Sequence, residues 1–181
     1  VLSLVGNYSP TVEAGTKNSL FLDATLEDNE ARFIKEITEI IGRETHFLAS
    51  ASVVSNKFVA QVASQIAMPS EPLIIPNGGE GEFLRDLPLD LLPASPESLR
   101  RLKLFGIHKM GELAKLPPEA VNLQLGAEGQ KLWELANGID DSRLTPCKMP
   151  EIMKGELPFE PPAENLDLIL NKAGALLSRL S

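Results

Sequence analysis

The chain has 181 residues, 43% of them hydrophobic and only 5% aromatic, with a formal net charge of −8. That is enough apolar material for one substantial core or two small ones, packed on Leu, Ile, Val and Ala. The acidity excludes a nucleic-acid binder that works by itself through a basic stripe. A single cysteine, Cys147, excludes a disulfide framework or a Cys-rich zinc site and fits a reducing compartment, and no run of about 18 apolar residues offers a membrane span.

Val1 has no charged leader before it and the last amphipathic stripe runs to Ser181 without a cap, so a segment of a longer protein is expected. Ser19 to Thr25 alternates, with Leu20, Leu22 and Ala24 on one side, and predicts a strand. Thr25 and Asp28 are spaced as a capping box for a helix striped by Phe33, Ile34, Ile37 and Ile41 and closed by Gly42. His46 to Val54 predicts a second strand. Ser55 is placed to cap a helix that buries Val59, Val62, Ala63 and Ile66 and ends before Pro69, and Leu73 to Ile75 predicts a third strand. The alternation of strands and helices predicts a sheet with helices on one face over residues 1–76.

Residues 77–137 read differently. After the Asn77–Gly81 loop, Ser95 and Pro96 open a helix lined by Leu99, Leu102 and Phe105 and closed by Gly106. Helices over 109–115, from near Pro117, and over 127–137 complete a small helical domain. Residues 138–151 read as a linker with Pro146 and Pro150. A strand through Met153, Gly155, Leu157 and Phe159 follows, then a helix stripe from Leu166 to Leu180. The fold class expected is α+β.

Few side chains point to chemistry by type and spacing. Lys57 falls in the first turn of a helix, where the macrodipole disfavours a cation but free N–H groups favour an anion. Two readings stay open there, a solvated lysine or a phosphate seat. Asp23 has no partner carboxylate on its strand face and reads as a cap or ion-pair partner. Glu27, Asp28 and Glu30 sit where a helix start attracts acids. His46 and His108 belong to no metal-ligand spacing. Cys147 lacks a nearby histidine to activate it. The string Arg101 to Phe105 is similar to the short Leu-x-Leu-Phe peptides that dock on sliding clamps, yet Leu102 and Phe105 at helical spacing read as core packing.

Taken together, the segments resemble the Y-family of lesion-bypass DNA polymerases, from mid-palm to the start of the little finger. The resemblance rests on four stretches in order. Tyr8, Ser9, Val12, Glu13, Leu22, Asp23 and Thr25 match the metal-bearing palm strand without a gap. Ser55 to Ala60 with Ala63 and Ser64 match the next palm helix. Phe83, Leu84 and Leu87 to Leu89 match the entry to the thumb. Leu99 to Ala114, with Gly106, Ile107, Gly111, Leu113 and Ala114, is similar to the thumb's helix-hairpin-helix.

The resemblance divides the chain into the C-terminal part of a palm with a ferredoxin-like layer (1–76), a helix-hairpin-helix thumb (77–137), a linker (138–151) and the first strand and helix of a little finger (152–181). It places the family's Asp-Glu metal pair on Asn18 and Ser19, its triphosphate lysine on Met68, and its hairpin glycines on Pro93, Ala94 and Ser95. Two-metal phosphoryl transfer needs hard anionic oxygens around ions about 3.5–4 Å apart. Asn18 brings a neutral carbonyl, Ser19 is neutral and short, and Pro93 has no N–H to offer a phosphate.

These losses are similar to the ImuB-like branch, catalytically degenerate relatives in bacterial damage-induced mutagenesis. The resemblance therefore implies a non-catalytic DNA-repair accessory scaffold that needs no cofactor and is cytoplasmic and nucleoid-associated. It implies weak DNA contact through Ser95, Lys103 and Lys109, and a phosphate-site remnant at Asn56 and Lys57. Its implied partners are a sliding clamp and an error-prone polymerase, engaged mainly through regions outside this chain, in the setting of the SOS response. The alternative is an active lesion-bypass polymerase that binds Mg²⁺ through displaced carboxylates, for which Glu13 and Asp23 are the local candidates. A third reading is an independent helix-hairpin-helix DNA-binding module.

Overall fold

The structure is a computed structural model that describes residues 1–147 other than Pro10, Lys17, Leu26, Asp28 and Ser70. The expected little-finger strand and helix, the end of the linker and the Asp28 half of the expected capping box lie outside the described residues. Val1–Cys147 form one compact unit. The elements are α1 (Leu2–Val5), β1 (Val12–Ala14), β2 (Leu20–Leu22), α2 (Glu30–Thr45), β3 (Ser52–Val53), α3 (Lys57–Ile66) and β4 (Leu73–Ile74). Then come α4 (Glu80–Leu84), a 3₁₀ turn (Leu89–Leu91), α5 (Pro96–Leu104), α6 (Met110–Ala114), α7 (Pro118–Leu125) and α8 (Ala127–Ala136).

The described strands form two separate pairs instead of one continuous layer. β1 and β2 are an antiparallel hairpin in the register Val12–Leu22, Glu13–Phe21 and Ala14–Leu20. β3 and β4 run parallel, Ser52 opposite Leu73 and Val53 opposite Ile74, with α3 as the crossover. β1 was not legible as a strand, because three residues between Pro10 and Gly15 are too short to display alternation. Leu20 and Leu22, the expected packing face of β2, lie against a small core of Val5, Val12, Ile37 and Ile41. Phe21 is buried on the opposite face.

Three expected helix ends are corrected. α2 starts at Glu30 behind Asn29, whose side-chain oxygen accepts from the Arg32 N–H at 2.9 Å, and the Thr25 hydroxyl donates to Asp23 instead of capping. The helix runs past Gly42 to Thr45 and ends where His46 takes the left-handed conformation at φ 60°. The Thr45 hydroxyl closes the last turn on the Ile41 carbonyl at 2.6 Å, so no glycine is needed there. α3 is capped one residue later than expected, by Asn56 accepting from the Val59 N–H at 3.0 Å. Its buried face is Phe58, Val59, Val62 and Ala63. Ile66, expected inside, is the last residue of the helix and is 46% exposed.

A second, larger core joins α3 to the helical half through Leu84, Leu89, Leu102, Met110, Leu113, Leu132 and Leu135. Each such side chain contributes roughly 1.5–3 kcal/mol of burial. α5 opens at Ser95–Pro96 as expected and closes at Gly106, φ 79°. Phe105 is the cap of that helix, off its buried stripe, and is 60% exposed, which corrects its expected place in the core. Residues 85–89 pair with 108–111: the Leu89 and Met110 N–H groups donate to the His108 and Leu87 carbonyls at 3.0 and 2.9 Å. α7 and α8 approach closely because Gly129 sits where a Cβ would lie 2.7 Å from the Val121 carbonyl oxygen. Among the described residues, no helix is long and apolar enough to cross a membrane.

Candidate functional site

The loop that joins β1 to β2 carries Asn18 and Ser19, and its geometry is that of a closed turn. Asn18 is exposed at φ 59°, a left-handed conformation that asparagine tolerates better than most residues. The Ser19 hydroxyl donates to the Thr16 carbonyl at 2.6 Å, and the Gly15 N–H donates to the Ser19 carbonyl at 2.9 Å. A Cβ on Gly15 would press on the Ser19 hydroxyl and lie 2.7 Å from the Phe21 ring, so a larger residue there would force one of them to shift.

One neutral amide in a turn and one hydroxyl already committed to backbone do not fit a two-metal centre, which needs anionic oxygens. Asp23 is also engaged. It accepts from the Thr25 N–H at 2.9 Å and from the Thr25 hydroxyl, and these bonds, the hydroxyl first, hold its carboxyl below the ordinary value. Among the described residues, no three of His, Cys, Asp and Glu converge.

The densest polar arrangement surrounds the first turn of α3. The Lys57 ammonium is 2.5 Å from Glu13 Oε1 and stands over the Phe21 ring, 5.3 Å from its centroid. The two charged side chains are only 23% and 16% exposed. Glu13 Oε2 accepts from the Thr145 N–H at 2.7 Å. Lys57 first and the Thr145 amide next hold the Glu13 carboxyl below its ordinary range, against the opposing effect of burial.

The Phe58 N–H, one of the free donors of the helix start, donates to Asp140 Oδ2 at 3.0 Å. Burial pushes the Asp140 carboxyl up, but hydrogen bonds from Ser142, the Phe58 amide and Lys131 outweigh it and leave the group lowered. Asn56 caps the helix with its oxygen and donates through Nδ2 to the Gly138 carbonyl at 2.8 Å. The Ser55 hydroxyl donates to Glu80, a buried carboxylate of α4 that Ser55 chiefly holds below its ordinary range.

The residues expected to meet DNA lie in the helical half, each with a partner. Lys103 faces Asp90 at 2.6 Å and Lys109 faces Asp86 at 2.7 Å. Ser95 caps α5 on the Ser98 N–H, and its own N–H and hydroxyl donate to Glu128 of α8 at 2.6 and 2.9 Å. Glu97 takes both Arg100 and Arg101, in that order of strength, and is held down at about 2. Met68, where the resemblance places the triphosphate lysine, is 68% exposed.

Between the hairpin loop, α3 and the 3₁₀ turn lies a cleft of about 230 Å³, lined by Thr16, Phe58, Gln61, Gln65, Leu91 and Pro93. The structure thus brings the hairpin loop, α3 and Pro93 to one cleft, whose lining also includes Asp90, the partner of Lys103, while Lys109 pairs with Asp86. Sequence reading missed Asp140 and Glu80, which act here across 82 and 25 residues. Neither has a local signature, because each is defined by a partner supplied by tertiary packing.

No protein-family model matches the chain. By sequence it is 27% identical over 154 residues to DNA polymerase IV of Yersinia pseudotuberculosis, covering 82% of this chain and 44% of that protein. It is 28% identical over 165 residues to DNA polymerase IV of Desulfatibacillum aliphaticivorans, covering 88% and 42%. Among solved structures, a DinB family error-prone DNA polymerase from Sulfolobus solfataricus superposes with a TM-score of 0.66 at 19% identity, over 79% of this chain and 45% of that one. An insertion ternary complex of Dbh DNA polymerase gives 0.67 at 21% identity, over 79% and 44%. The chain therefore has the mixed helix-and-sheet fold of the corresponding part of those polymerases, and it spans less than half the length of the relatives it matches.

Proposed function

We propose that this chain, a Y-family DNA-polymerase-like protein by sequence and fold, belongs to a non-catalytic accessory scaffold in bacterial DNA repair and damage-induced translesion synthesis, of the ImuB-like kind. The observation that carries the reading is the hairpin loop. The two positions matched to metal-binding acids hold an exposed left-handed asparagine and a serine whose hydroxyl is spent on the Thr16 carbonyl. Phosphoryl transfer through paired metals has no anionic anchor in that turn. Met68 and Pro93 support the same reading, since Met68 offers a phosphate no charge and Pro93 offers it no N–H.

Such a scaffold needs no metal of its own in this region. DNA contact is weak here, because Lys103 and Lys109 are each already paired. A sliding clamp and an error-prone polymerase are the partners the resemblance suggests, engaged largely through other parts of the protein.

The relatives' name favours a second reading, an active lesion-bypass polymerase with displaced ligands. Glu13 and Asp23 are its local acids, and both already have protein partners. Primer extension by the full-length protein in Mg²⁺ or Mn²⁺ separates the two. The scaffold reading expects no templated synthesis above background. Synthesis that Glu13→Ala or Asp23→Ala abolishes in a folded protein would refute it.

A further inference from the structure

The first turn of α3 is held from three remote parts of the chain at once. Glu13, from β1, takes the Lys57 ammonium. Glu80, from α4, takes the Ser55 hydroxyl. The segment after α8 supplies the Gly138 carbonyl to Asn56 and the Asp140 carboxylate to the Phe58 N–H. That segment is then fastened to the hairpin: the Thr145 N–H donates to Glu13, the Cys147 N–H to the Val12 carbonyl at 2.8 Å, and the Ala14 N–H to Cys147 Sγ at 3.3 Å. Residues 138–147 belong to the stretch that the sequence alone reads as a linker, yet Gly138 and Asp140 are tied to the start of α3 and Thr145 and Cys147 to β1.

Two features make these contacts interdependent. Glu13 serves two segments with one carboxylate, so a shift of Lys57 moves the acceptor of Thr145. The Asp140 side chain is 6% exposed and accepts from Lys131, Ser142 and Phe58 together, so losing one donor leaves a nearly buried carboxylate with fewer partners.

We propose that the start of α3 is an internal lock, which couples the β1–β2 hairpin, the helical half and the strap 138–147 so that they open together or not at all. Lys57 and Asn56 are struts of this lock: the cation and the helix-start donors face the chain's own carboxylates and carbonyl. The proposal uses none of Asn18, Ser19, Met68 and Pro93, so it does not rest on the scaffold reading, and it shares only Glu13 with the displaced-ligand alternative.

The test is residue-resolved amide hydrogen exchange on the 181-residue chain, unmodified and with Lys57→Met or Asp140→Ala. In the unmodified chain the Phe58, Thr145 and Cys147 amides share one opening free energy and one denaturant slope, although the last two lie outside helices and strands. Lys57→Met accelerates exchange at Phe58 as well as at Thr145, and Asp140→Ala accelerates exchange at Thr145 and Cys147 as well as at Phe58, each by about tenfold or more.

Random-coil exchange at Thr145 and Cys147 in the unmodified chain overturns the lock. So does acceleration confined to the amide whose own partner was removed. Should either variant fail to fold, the denaturant dependence of exchange in the unmodified chain decides alone, since unequal slopes for the three amides contradict concerted opening.

Discussion

Gly138 offers a sharp test of how tightly the strap is held. Its φ is 76°, and a Cβ built there lies 2.6 Å from the Glu80 Cβ and 3.0 Å from the Gly81 backbone nitrogen. Gly138→Ala therefore carries two penalties. A left-handed conformation costs a residue with a Cβ about 1–2 kcal/mol, and forcing α4 or the strap to move costs about 1–3 kcal/mol more. Together they amount to about 2–5 kcal/mol, a large share of the stability of a domain this size.

Gly106 is the control. Its φ is 79°, but nothing lies within 4 Å of a Cβ there, so Gly106→Ala pays only the backbone penalty of about 1–2 kcal/mol. The assay is urea unfolding followed by the fluorescence of the only tryptophan, Trp133, which donates to the Leu116 carbonyl within the second core. At a urea slope of about 1–3 kcal/mol/M, Gly138→Ala lowers the midpoint by about 1 M or more. If Gly138→Ala proves no more costly than Gly106→Ala, the close approach of the strap to α4 is wrong.

Other consequences follow from the same contacts. Lys57→Met leaves Glu13 partly buried without its cation and destabilises the chain by about 1–3 kcal/mol, read from the same unfolding curves. Glu13 and Asp140 are both lowered in the folded state from ordinary values of 4.5 and 3.8. The stability they contribute is full above those values and is lost as pH falls through the lowered ones, so the unfolding midpoint drops in acid below about pH 4.5, and Asp140→Ala flattens that dependence. Lys103→Ala and Lys109→Ala each change duplex-DNA affinity by less than about threefold in a salt-controlled titration, because a chain of net charge −8 gives a single cation no basic surface to complete.

Much of the molecule follows from local pattern. The helix over 96–104 is written in Ser95, Pro96 and the positions of Leu99 and Leu102, and the hairpin strand in the alternation of Leu20, Phe21 and Leu22, because caps and periodicity depend only on near neighbours. That Asn18 and Ser19 carry no negative charge is also plain in the sequence, since no fold turns them into anions. What packing decided is where the remaining charges go. Lys57 has the same spacing whether it waits for a phosphate or is spent on Glu13, 44 residues away. Residues 138–147 have a linker's composition, yet Asp140 and Thr145 find partners that only the folded chain brings within reach. The helix ends misread at Thr25 and Gly42 belong to the same class. Several residues there had the chemistry of a cap, and the neighbouring turn and the His46 backbone settled which one was used. Local preferences of a few tenths of a kcal/mol to about 1 kcal/mol are overruled by contacts between segments distant in sequence.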